Sequence, residues 1–187
     1  MKMYGVAASF LALTIAFAAI AADVGGVKLD DKASVGGQEL VLNGAGIRTR
    51  AVFKVYVGSL YLPAKATTVD GVLAKGPRRI QLNLLRDLSG DQLSDAVNDG
   101  MKESNSAADV DAVKGETDQF IAILKSMGAL KEGSVIAIDF VDGVTKVSFN
   151  GAPKGSVSGE AFNRALTKIW VGDKPVQPDL KKAMLGG

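Results

Sequence analysis

The stretch Asn43 to Pro63, NGAGIRTRAVFKVYVGSLYLP, constrains the fold more than any other part of this chain. Val52 to Leu62 is β-branched and aromatic, the composition of a pleated, half-buried strand. Gly44 and Gly46 can reach positive φ without steric cost, so the segment reads as a glycine-bracketed turn. On that reading the turn joins two strands, Gln38 to Asn43 and Ala51 to Leu62. It delivers Arg48 to the mouth of an apolar strand that also carries Tyr56 and Tyr61. A guanidinium is permanently charged and presents a fork suited to a carboxylate or phenolate oxygen.

Elsewhere the chain is poor in chemistry. It has no histidine and no cysteine among its 187 residues. Those absences exclude serine–histidine and cysteine–histidine triads, disulfides and zinc–sulfur sites. Net charge is +2, one less without Lys2, which argues against nucleic acid and against a strongly electrostatic membrane partner. Arg78-Arg79 and Lys181-Lys182 read as solvated pairs. Asp109, Asp111, Glu116 and Asp118 form an acidic group, but without the glycine and ligand spacing of a calcium loop. No metal or cofactor is expected. Gly151 to Gly159 has no Gly-Lys-Ser/Thr ending, so it is not read as a nucleotide loop.

Residues 1–21 read as an export signal. Lys2 is the positive start, Val6 to Ile20 the apolar run, and Ala19-Ile20-Ala21 places small residues before cleavage after Ala21 or Ala22. The run is shorter than the roughly 20 residues a spanning helix needs. The expectation is therefore a periplasmic or secreted protein, with no stable membrane insertion after cleavage. Residues 22–187 then form one domain of ordinary core size.

The rest of the pattern is α+β. Val69 to Ala74 reads as a short helix and Arg79 to Arg86 as an alternating strand. Ser89-Gly-Asp-Gln92 is a capping box opening a helix to about Lys102. Phe120, Ile121, Leu124 and Met127 give helical spacing over Glu116 to Met127. Asp142-Gly143 predicts a hairpin between Val135–Val141 and Thr145–Asn150. Gly159 to Val171 is amphipathic, with Phe162, Leu166, Ile169 and Trp170 on one face, and Pro178 to Leu185 makes a final helix. Hairpins with helices inserted favour a large antiparallel sheet with helices packed on one face, an open-faced sandwich.

Three segments resemble the chalcone isomerase fold family, in its bacterial chalcone isomerase-like branch. Leu42 to Leu62 carries the Gly-x-Gly-hydrophobic-Arg pattern followed by a strand ending in Tyr61-Leu62. PRRIQLNLLRDLSGDQL, residues 77 to 93, and GEAFNRALTKIWVGDKPVQPDLKKAMLG, within 155 to 186, follow in the family's order. The resemblance implies an apolar cleft between sheet and helices. In the plant isomerases the arginine matching Arg48 holds a substrate phenolate, while a threonine, a tyrosine and an asparagine polarise the carbonyl. Counting back from Tyr61-Leu62, the threonine's place falls on Tyr56, which adds bulk where a planar flavonoid precursor would lie. Non-catalytic fatty-acid-binding relatives clasp a carboxylate with an arginine and a tyrosine, and Arg48 with Tyr56 fits that pattern better.

Three functions follow. The first is binding of a fatty acid or similar amphipathic carboxylate in an apolar tunnel ending at Arg48. The second is an isomerase (an intramolecular lyase) on an enone or phenolic substrate, with Arg48 as oxyanion holder and Tyr56 beside it. The third is a ligand-free structural or interaction domain with a filled core. Ser59 and Asn83 are further candidates to line the cleft. Tyr56 shares a strand face with Val52, Leu60 and Leu62, so it serves either the core or the ligand. Tyr61 lies on the opposite face and, like Trp170, reads as structural; Arg86, beside Asp87, reads as a cap or salt-bridge residue.

Overall fold

A computed structural model describes residues 22–187; the expected leader, residues 1–21, lies outside the described residues. The chain starts with a small hairpin, β1 (Ala22–Val24) and β2 (Val27–Leu29), followed by β3 (Lys32–Val35). Next come the two longest strands, β4 (Gln38–Arg50) and β5 (Phe53–Leu62), then α1 (Val69–Val72) and β6 (Arg78–Leu84). The helical layer is α2 (Gly90–Ser104), α3 (Ala107–Ala112) and α4 (Lys114–Ser126), bracketed by the short strands β7 (Leu88–Ser89) and β8 (Ala129–Leu130). Strands β9 (Val135–Val141), β10 (Val144–Phe149) and β11 (Ala152–Ser158) complete the sheet, and α5 (Glu160–Val171) and α6 (Pro178–Met184) close the chain.

Seven strands form one antiparallel sheet in the order β11-β10-β9-β6-β5-β4-β3. Side chains alternate across it. Tyr56, Leu60 and Leu62 of β5, with Ile80, Leu82 and Leu84 of β6, enter the main core against Leu93, Phe120, Phe162, Ile169 and Trp170 of the helices. Tyr61 faces the other way and joins Val35, Leu40 and Val141 in a smaller cluster, its hydroxyl donating to the Asp30 carbonyl at 3.0 Å.

Local signals set several elements. Ser89 and Gln92 cap α2 reciprocally, at 3.1 and 2.9 Å. Asp142 and Gly143 take φ of 53° and 75°, the twist that a two-residue hairpin needs. Three expectations are corrected. Gln38 to Arg50 is one continuous strand, so Gly44 and Gly46 make no turn, and neither has a positive φ. The reversal comes later, at Ala51 (φ 53°), which leaves Val52 exposed instead of on the Tyr56 face. Gly151 to Gly159, given no element in the sequence reading, is mostly edge strand β11. Arg78 and Arg79 are not solvated: Arg78 is 3% exposed, and Arg79 forms a forked pair with Asp139.

Candidate functional site

The two strand glycines serve close approach. A side-chain carbon on Gly44 would run into the Ala183 carbonyl oxygen, and one on Gly46 would sit 2.8 Å from the Ala183 methyl. Gly58, opposite Gly46 on β5, has Leu180 and the Tyr56 ring above it. These three positions form a side-chain-free floor on which α6 lies, its Leu180 and Met184 buried. Asn43, the extra residue of a bulge in β4, fastens the other end. Its amide donates to the carbonyls of Ala66 (2.9 Å) and Met184 (2.7 Å) and accepts from the Ala66 N–H (2.7 Å).

Arg48 and Tyr56 are direct cross-strand partners, so both project to the helix face. Arg48 is half-buried and donates from Nη1 to the Thr49 carbonyl (2.6 Å) and to Gln177 Oε1 (3.2 Å). Both acceptors are neutral, and among the described residues no carboxylate pairs with it. Gln177 also accepts from the Thr49 N–H (2.9 Å) and donates to the Ile47 carbonyl (3.1 Å). Pro178 explains its placement: the residue before proline is held extended, and Gln177 has φ −160° and ψ 119° at the N-cap of α6. One side chain thus splints β4 around Arg48.

Tyr56 is 8% exposed, and its hydroxyl accepts from the indole N–H of Trp170 at 2.9 Å. With that lone pair used, its proton is free to donate, and the described hydrogen bonds give it no acceptor. Burial pushes the phenol above its ordinary 10.0, while the hydrogen bond from Trp170 and the charge of Arg48 pull it back. Burial dominates, so the hydroxyl stays a protonated donor. Cation, phenol donor and apolar interior at one edge can bind an anionic head attached to an apolar body.

The other two candidates lie elsewhere. Ser59 and Asn83 belong to the opposite sheet face, with Tyr61 and Gln81. Ser59 is fully buried, and Asn83 accepts from the Gln81 amide at 3.1 Å. Trp170 and Gln177 are the site residues that sequence reasoning missed. The one available signal was that a lone buried tryptophan needs an acceptor for its N–H.

Two grooves are prominent, and neither borders Arg48 or Tyr56. One, of about 690 Å³, lies on the far sheet face among Arg79, Asp139, Lys146 and Pro153. The other, of about 260 Å³, lies beside α6 at Pro175, Pro178 and Leu185. The expected tunnel ending at Arg48 is neither of them; Tyr56, Trp170 and Leu180 belong to the buried main core, and Trp170 is bonded to the Tyr56 hydroxyl. Among the described residues no cluster of three acids could hold a metal, and no helix is long and apolar enough to cross a membrane.

A curled antiparallel sheet with helices on one face defines the class of fold. The chain matches the chalcone isomerase-like family model over residues 21–186 and belongs to that family. Its fold is similar to that of a fatty-acid binding protein of Arabidopsis thaliana, with a TM-score of 0.66 and 16% identity over 86% of this chain and 92% of that one. No curated protein sequence matches it.

Proposed function

We propose that this protein is a non-catalytic chalcone isomerase-like binder of a fatty acid or similar amphipathic carboxylate, acting outside the cytoplasm. The observation that carries the reading is Arg48: a half-buried cation with neutral acceptors only, beside a buried phenol with an unused proton. The ligand carboxylate takes the acceptor place of Gln177 Oε1 on the guanidinium and accepts from the Tyr56 hydroxyl. Its chain enters between sheet and helices, where each buried methylene contributes ~0.8 kcal/mol. Tyr56, Trp170 and Leu180 are buried core residues, so a chain entering beside Tyr56 displaces α5 or α6 side chains. The fold's likeness to a fatty-acid binding protein supports the same class of ligand. The export reading of residues 1–21 supports the location.

Denaturing solvent extraction of the purified protein, followed by mass spectrometry, tests the proposal. A near-stoichiometric fatty acid in the wild type that is absent from Arg48→Ala is expected. A fatty acid retained equally by Arg48→Ala contradicts the assigned site.

A further inference from the structure

Two large apolar side chains are exposed among the described residues, and they are neighbours: Val52 at 85% and Phe53 at 56%. They form the tip of the β4–β5 hairpin, where Ala51 makes the reversal. Exposed cations surround them. Arg50 and Lys54 flank the tip in sequence, and the Arg86 guanidinium stands 4.8 Å from the centre of the Phe53 ring. From Arg48 to Lys54 the chain has three cations and no acid. Asp87, next to Arg86, is already paired with Lys131 at 2.7 Å.

We propose that this hairpin tip docks the protein on an anionic lipid bilayer. Val52 and Phe53 enter the interface, and Arg50, Lys54 and Arg86 lie against the headgroups. Apolar side chains ringed by cations suit such a surface, since acyl boundary and negative headgroups lie within one side chain's length of each other. A second copy of the chain fits the tip poorly, because it would bring the same cations into contact. Net charge near neutrality argues against attraction spread over the whole surface, but a bilayer reads charge only within a Debye length, roughly 8 Å at physiological salt, and within that range the tip is cationic. Docking stands on the tip alone. Its use rests on the fatty-acid reading: Arg48 lies two residues up the strand, about 7 Å from the tip, so a docked protein holds its carboxylate site at the membrane.

The test is co-sedimentation of residues 22–187, which carry every described element, with vesicles. One set is phosphatidylcholine alone, and the other has equal parts phosphatidylglycerol and phosphatidylcholine. Binding to the anionic vesicles that weakens as salt rises is expected. The Val52→Ser/Phe53→Ser variant should bind roughly tenfold or more weakly with an unchanged circular dichroism spectrum, and Arg50→Gln/Lys54→Gln should lose the preference for anionic vesicles. Absence of wild-type binding, or equal binding by the serine variant, overturns the proposal. Titrating the serine variant with dodecanoate in the absence of vesicles separates the two readings. Normal fatty-acid binding there means that a failed docking test leaves the carboxylate site untouched.

Discussion

Arg48 is held by acceptors that neutralise none of its charge, and the groups around it set what it can do. Gln177 fixes its direction, while Trp170 fixes the Tyr56 hydroxyl. Replacing Trp170 by Phe leaves the phenol without its donor and should cost ~1 kcal/mol in stability, read as a lower midpoint in urea unfolding. Tyr56 and Tyr61 both have pKa values raised chiefly by burial. Both are therefore neutral in the fold, and their contribution is complete below the ordinary value of 10.0 and lost as pH climbs through the raised ones. The tyrosine contribution is read by difference: Tyr56→Phe/Tyr61→Phe should lose less thermal stability between about pH 9 and 11 than the wild type. Arg48 and Tyr56 were singled out through the family resemblance, but their pairing across β4 and β5 was not legible, because Arg48 was read into a turn and not a strand. Ser59 was misassigned against a visible signal, since three residues from Tyr56 on one strand means the other face. Trp170 and Gln177 were not legible as site residues, because their partners lie 114 and 129 positions away in sequence.

At the scale of elements, the seat of α6 governs the site, because the helix brings Gln177 to Arg48. Its floor tolerates no side chain. Gly46→Val should destabilise the protein by roughly 1–3 kcal/mol through overpacking against Ala183 and Leu180, and should weaken ligand binding as α6 lifts. Thermal unfolding alongside fatty-acid titration checks both effects. By contrast Ser89→Ala, at the cap of α2, should cost about 1 kcal/mol and leave binding unchanged. The capping box and the Asp142-Gly143 hairpin were readable because each is a local interaction between residues at most three apart. The glycines of β4 were misread because lacking a side chain permits both a turn and a close approach, and only the distant helix decides between them. Strand β11 was missed for a related reason: it is an exposed edge, so no apolar alternation marks it.

For the molecule as a whole, the sheet with helices on one face was legible from the order of hairpins and helices. The packing of its interior was not. An apolar pattern reports that residues are buried but not whether they enclose space, and here Tyr56 and Trp170 meet where a tunnel was expected. On the proposed reading, binding rearranges the helical side, and Trp170, the one tryptophan in the chain, reports on it. Titrating delipidated protein with dodecanoate while following Trp170 fluorescence tests the central claim most directly. A saturable change is predicted, with affinity falling by roughly tenfold to a hundredfold in Arg48→Gln, the loss of a charge-assisted hydrogen-bonded pair worth ~1.5–3 kcal/mol. No saturable change in the wild type, or equal affinity in Arg48→Gln, would contradict carboxylate binding at this arginine.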